Sequence, residues 1–265
     1  MIDPERTVLW SAASPAPNNT SITLNDSIDN YDEIVYYGSG MRNTYAVAVK
    51  TEYPVISGKK NGGGPFYYGC WTSGSNFVLC NGTQLFLSGT TGQVYSSYYW
   101  GKNSTNTAFT GALANNRVMD VRPYKIEGLK YSTADDRTLL WSANGNPYNT
   151  NITLSESVTA FREIIVYGSG TNNSAYGYHL SKQVYPTQNS TFGCEPWAYS
   201  PWEEHYRCNY LVGCDLRISG NSGHVGSAWY MGLNRETIAF ANGKWTGSSV
   251  PQLIAPYAVY GINRK

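Results

Sequence analysis

The segment TLLWSANGNPYNTNITLSESVTAFREIIVYGSG, from Thr138 to Gly170, repeats TVLWSAASPAPNNTSITLNDSIDNYDEIVYYGSG, which begins at Thr7. A self-similarity of this length constrains the fold more than any other feature, because both copies must adopt one architecture. Trp10 matches Trp141, Ile22-Thr23-Leu24 matches Ile152-Thr153-Leu154, and YGSG at Tyr37 matches YGSG at Tyr167. Further on, LSGTTGQVYSSYYWGKN from Leu87 aligns with ISGNSGHVGSAWYMGLN from Ile218, and PYKIEGL from Pro123 with PYAVYGI from Pro256. Each copy runs to its own end, with the boundary near KYSTADD, so the chain divides into a first repeat, 1–130, and a second, 131–265. Both lie in the usual domain range of about 100 to 150 residues.

The local pattern is that of strands. SITL and NITL are β-rich and flanked by polar residues, while DEIVYYG and REIIVYG are short β-branched and aromatic runs closed by Gly-Ser-Gly. No window carries a long apolar face at helical spacing. Between ITL and EIV, Ile28/Val158 and Tyr31/Phe161 stand three apart, which predicts a single helical turn. The expectation is an all-β chain of two tandem homologous β-sandwich, jelly-roll-like domains of about seven to nine strands each. A β-barrel is the alternative.

Hydrophobic residues make up 41% of the chain, enough for packed cores, and aromatics with a polar handle dominate, with 23 Tyr and 8 Trp against 7 Phe. Only 14% of residues are charged, the net charge is +1, and no cationic run is longer than a pair such as Lys59-Lys60, which argues against a phosphate-tracking nucleic-acid surface. No stretch approaches the roughly 20 apolar residues that cross a bilayer. The opening MIDPERT lacks the basic and apolar regions of a signal peptide, so the expectation is a chain not secreted by that route, or one whose leader was removed.

The matched aromatics Trp10/Trp141, Tyr31/Phe161, Tyr37/Tyr167 and Tyr124/Tyr257 read as core. The middle of each copy has diverged around two landmarks, Tyr53-Pro54 with Tyr185-Pro186 and Gly69-Cys70 with Gly193-Cys194. Long Gly- and Asn-rich loops that differ between copies of one scaffold are where recognition tends to sit. Tyr67, Tyr68, Trp71, Trp197, Tyr199, Trp202 and Tyr206 occupy these stretches and are the candidate ligand-binding residues. Flat rings beside Asn, Ser and Gly suit an adaptable surface that stacks on sugar C–H groups. The bland alternative is that the rings pack beneath their own loops or between subunits.

Among the five cysteines, Cys70/Cys80 and Cys194/Cys208 recur as pairs that could close a loop, with buried thiols the equal alternative and Cys214 left over. Cys194, His205, Cys208 and Cys214 match no regular zinc spacing, and no metal site is expected. Glu203-Glu204 are neighbours on the chain and point apart if extended, so they read as a solvated acidic stretch rather than a catalytic couple. SGKKNGGGP lacks the G-K-[ST] of a phosphate loop, and no nucleophile elbow, metalloprotease or Ser/His/Asp pattern occurs. Neither catalytic residues nor a cofactor is expected. Asn-X-Ser/Thr sequons are frequent in so polar a chain and carry little information.

With TLLWSAN, NITLSESVTAFREIIVYGSG and PYAVYGI together in view, the chain resembles the β-rich repeat units of bacteriophage tail fibres and other virion appendages. Nearly the whole of both copies is covered, on short β motifs, with Ala12 and Ala143 where that pattern has glycine. The resemblance implies a non-enzymatic fibre or receptor-binding protein on the virion surface, commonly trimeric. It implies other virion proteins and a bacterial surface glycan or protein as partners, with no nucleic acid and no membrane insertion. Two competing functions are a purely structural spacer or decoration and, with less support, a glycan depolymerase. The last needs two carboxylates about 5 to 9.5 Å apart across a groove, and none is nominated.

Overall fold

A computed structural model describes residues 4–42, 45–73, 76–103, 108–110, 121–132, 137–143, 147–170, 178–187, 191–194, 197–202, 208–234, 239–244 and 254–265; in strand segments 41–47, 66–81, 96–110, 178–179, 197–212 and 230–244 and at residue 192 the description is of the backbone. The first copy contains β1 (Glu5–Ser11), β2 (Ser21–Thr23), β3 (Glu33–Arg42), β4 (Tyr45–Pro54), β5 (Asn61–Gly63), β6 (Phe66–Ser73), β7 (Asn76–Ser88), β8 (Thr91–Asn103), β9 (Ala108–Thr110) and β10 (Arg122–Lys130). The second follows with β11 (Arg137–Ser142), β12 (Thr150–Thr153), β13 (Phe161–Gly170), β14 (Tyr178–Pro186), β15 (Thr191–Cys194), β16 (Trp197–Trp202), β17 (Cys208–Ser219), β18 (Ser222–Asn234), β19 (Ala239–Lys244) and β20 (Ala255–Arg264). The chain is all-β. The predicted helical turns are 3-10 turns at Ile28–Asn30 and Val158–Ala160, each capped by a serine, Ser27 and Ser157, that accepts from the backbone N–H two residues on.

Each copy is a sandwich of two antiparallel layers. In the first, β1-β10-β3-β4 faces β5-β7-β8-β2; in the second, β11-β20-β13-β14 faces β15-β17-β18-β12. Between the layers of the first copy lie Leu9, Ile22, Leu24, Ile28, Ile34, Tyr36, Leu85, Leu87, Val94 and Ile126. The second core places Leu140, Ile152, Leu154, Val158, Ile164, Val166, Leu216, Ile218, Val225 and Val259 at the corresponding positions. The equivalence extends to single backbone bonds. Ile28 N–H donates to Gly89 O and Val158 N–H to Gly220 O, both at 3.0 Å; Leu24 donates to Thr90 and Leu154 to Asn221, both at 2.8 Å. Gly89 and Gly220 take the left-handed conformation, φ 54° and 58°, which these tight strand connections require.

The stretches expected as long loops contain strands: β6 pairs with β7 and β16 with β17, adding hairpin strands to a sandwich expected to have fewer. Among the matched aromatics, Phe161 is fully buried and Trp10, Trp141 and Tyr31 pack partly buried against the cores. Tyr167 is buried as expected, but in a separate cluster with Ile165 and Ala258 against which Tyr257 packs, while Tyr37 and Tyr124 are only partly buried. Strand alternation puts Tyr36 and Val166 between the layers, and so turns Tyr37 and Tyr167 onto the outer face, where they meet Tyr124 and Tyr257.

Among the described residues, two features join the sandwiches. A short parallel pairing sets Tyr178 and His179 of β14 beside Asn61 and Gly62 of β5. Beside it lies a charged joint on the outer faces. Lys182 Nζ stands 2.7 Å from both Glu33 Oε2 and Glu52 Oε2. Glu33, wholly buried, also accepts from the hydroxyls of Tyr167 and Tyr131. The Arg137 guanidinium stacks on the rings of Tyr260, Tyr131 and Tyr167 at 3.9, 4.6 and 5.2 Å.

Candidate functional site

The sequence-nominated aromatics fall on equivalent hairpins, one in each copy. Tyr67, Tyr68 and Trp71 lie on β6, opposite Asn81, Cys80 and Val78 of β7, with an irregularity between Tyr68 and Trp71. Trp197, Tyr199 and Trp202 lie on β16, opposite Gly213, Leu211 and Cys208 of β17. Their side chains, and Tyr206 altogether, lie outside the described residues, as do Glu203, Glu204 and His205.

Cys194 and Cys214 are buried thiols in the second core, neither in a disulfide. That removes the Cys194–Cys208 loop closure and leaves the thiol alternative, because packing with Leu216 and Ile218 fills the space around them. Among the described residues, no three His, Cys, Asp or Glu side chains are grouped to hold a metal, and no helix is long and apolar enough to cross a membrane.

The described side chains do form a polar groove, on the outer face of the β15-β17-β18-β12 layer. Asn151, His224, Arg217 and Gly193 lie directly opposite one another across four adjacent strands. Strand alternation sends Ile218, Leu216 and Val225 into the core and these residues outward. Asn151 Oδ1 lies 2.8 Å from His224 Nδ1 and fixes the imidazole's position. One step along, a β-bulge sets Asp215 against both Gly226 and Ser227, the kind of irregularity that re-aims side chains. A Cβ on Gly226 would lie 3.0 Å from that of Asp215, so the missing side chain opens the space. The result is a groove of about 210 Å³ lined by Asn149, Asp215, Arg217, His224, Gly226 and Ser227. Asn149 reaches its rim in the left-handed conformation, φ 51°, with its N–H donating to Gly226 O at 3.2 Å. Carboxylate, guanidinium, imidazole, amide and hydroxyl thus converge on one open face.

None of these residues was nominated from sequence. The signal was the pair LSGTTGQVYS and ISGNSGHVGS, where His224 replaces Gln93 and Gly226 replaces Tyr95. Matches in that alignment mark the frame; the mismatches mark the groove.

The other concentration of ionisable groups is the joint. Burial alone would raise the Glu52 carboxyl, but the ammonium groups of Lys182 and Lys50 outweigh it and hold it at about 2. Burial likewise opposes the charge on Lys182, and Glu33, Tyr131 and Glu52 reverse that, raising it above the ordinary lysine range. Burial, then the charge of Glu33, pushes Tyr131 up to about 12 and Tyr167 well above the ordinary range, so both phenols stay protonated as donors. Glu33 and Lys182 are enclosed at the centre of this cluster, which joins the two copies, while Glu52 and Lys50 at its edge reach solvent. No protein-family model matches the chain, and no curated protein matches it.

Proposed function

We propose that this chain is a non-enzymatic bacteriophage virion fibre or receptor-binding module, working as a homotrimer among other virion proteins. In this reading the repeated strands build a rigid carrier, and the diverged hairpins recognise a glycan or protein on the bacterial surface. One observation carries it. The frame repeats down to individual backbone bonds, whereas the β6–β7 and β16–β17 hairpins, in equivalent places, differ in sequence. Two linked weak sites gain through effective concentration, which suits attachment to a cell.

The buried Lys182–Glu33 and Lys182–Glu52 ion pairs that bind one copy to the other favour a second reading, a purely structural spacer of capsid, collar or tail. Binding of the purified chain to whole cells and isolated surface glycans of candidate hosts separates the two, with Trp71→Ala and Trp202→Ala in parallel. Receptor recognition predicts binding that either substitution weakens while fold and assembly state persist. Absence of binding across hosts, with the variants losing their oligomeric state, makes the protein architectural.

A further inference from the structure

We propose that the groove of the second copy is a binding site for a single pyranose unit, and that the first copy has no counterpart. The choice of a sugar rests on the receptor-binding reading above; the site itself rests on the comparison of the two copies.

In the first copy the row Asn151, His224, Arg217, Gly193 is replaced by Ser21, Gln93, Phe86 and Gly62. The same bulge sets Gln84 against Tyr95 and Ser96. There the rings of Phe86 and Tyr95 meet edge to face, centroids 6.0 Å apart, and Lys60 Nζ lies 4.7 Å from the Phe86 centroid. Phe86 is left 3% exposed. In the second copy Arg217 and His224 stand exposed, and glycine occupies the place of the tyrosine ring. Nothing beneath requires this exchange, since Leu85, Leu87 and Val94 simply become Leu216, Ile218 and Val225. A face closed by rings in one copy is open and polar in the other.

The lining selects the ligand. Arg217 and His224 beside Asp215 disfavour a metal cation, which seeks several oxygen ligands. Asp215 repels a bare anion. A ligand whose adjacent groups both donate and accept satisfies all three, and vicinal hydroxyls on a sugar ring do so. Asp215 accepts from a pair of hydroxyls while Arg217 and the Asn149 amide donate to ring substituents. At about 210 Å³ the groove falls below the roughly 300 Å³ of ordinary small-molecule pockets, which sizes it for one ring at a chain end or branch.

The test is titration of the full chain with glucose, galactose, mannose and N-acetylglucosamine, followed by calorimetry and saturation-transfer NMR. Gly226→Tyr restores the first copy's residue and fills the groove. Arg217→Ala changes an exposed side chain and leaves the sheet intact. Saturable binding of at least one sugar is expected, weakened about ten-fold or more by each variant, with the unfolding midpoint unchanged in Arg217→Ala. No saturable binding to the unmodified chain, or binding that survives both substitutions, overturns the proposal. The same variants on whole cells separate the two readings. Sugar binding without cell binding keeps the groove and overturns receptor recognition. Cell binding with no binding of any of the four sugars overturns the groove and leaves receptor recognition standing.

Discussion

Lys182 and Lys50 hold equivalent places in the two copies, each directly opposite the outward tyrosine of its sheet, Tyr167 and Tyr37. Their surroundings differ: the side chain of Lys182 is 9% exposed between Glu33 and Glu52, whereas that of Lys50 is 44% exposed beside Glu52 alone. The same divergence runs through their neighbours. Tyr37 donates to Glu127 within its own copy, while Tyr167 donates across the joint to Glu33. Where the first copy has Glu127, the second has Tyr260 under the Arg137 guanidinium. One set of frame positions thus closes on itself in the first copy and grips its neighbour in the second.

Lys182→Met therefore destabilises by about 3–5 kcal/mol, because it strands the buried carboxylate of Glu33. Lys50→Met stays within about 1 kcal/mol, as exposed pairs do. Adding Glu33→Leu to Lys182→Met recovers only part of the loss, since it removes the stranded carboxylate but leaves the Tyr131 and Tyr167 hydroxyls without their acceptor and Arg137 without its nearby carboxylate. Urea unfolding of the four proteins measures this, and equal effects at the two lysines contradict it.

The joint has a pH window. Glu52 titrates at about 2 in the folded chain against an ordinary 4.5, so its contribution is complete above about pH 4.5 and is lost as pH falls toward 2. Lys182 is raised, so its contribution is complete below its ordinary 10.5 and is lost as pH rises through the folded value. Stability against pH should fall in acid, and less steeply in Glu52→Gln. Superimposable acid limbs contradict this assignment.

Two glycines of the closing strands carry aromatic rings. A Cβ on Gly261 would meet the Phe161 ring at 2.5 Å, and one on Gly128 would meet the Tyr31 ring at 2.4 Å. Phe161 is fully buried and has nowhere to move, whereas Tyr31 is only partly buried. Gly261→Ala and Gly128→Ala each cost about 1–3 kcal/mol, the former more. Thermal unfolding of both variants checks the order, and a neutral Gly261→Ala refutes the packing argument.

Cys194 and Cys214 lie wholly inside the second core. Alkylation followed by peptide mapping should leave both unmodified in the folded chain and label both in denaturant. Labelling of either before unfolding contradicts their placement.

Much of this was legible in the sequence. Paired strands, the single turns at Ile28 and Val158, and a frame shared by both copies follow from the repeat and from β-branched alternation. The side of the sheet was not, because a matched residue such as Tyr37 or Tyr167 is equally a core residue or an outer one until the register is known. The joint was hidden for a related reason: Glu33 and Lys182 are far apart in the chain and meet only through the packing of one copy on the other. The groove was hidden because its residues are those that fail to match. Asp215 and Gly226 acquire meaning only where the bulge sets them together.

Under the proposed function, the repeated frame carries and the unrepeated surfaces bind. Hydrogen–deuterium exchange of the full chain, with and without surface glycan from a bacterium it adheres to, tests this most directly. Protection is expected over Phe66–Ser73 and Trp197–Trp202 and around the groove, with β1, β3, β10 and their counterparts β11, β13 and β20 unchanged. Protection spread over those framing strands, or none anywhere despite adhesion, would contradict it.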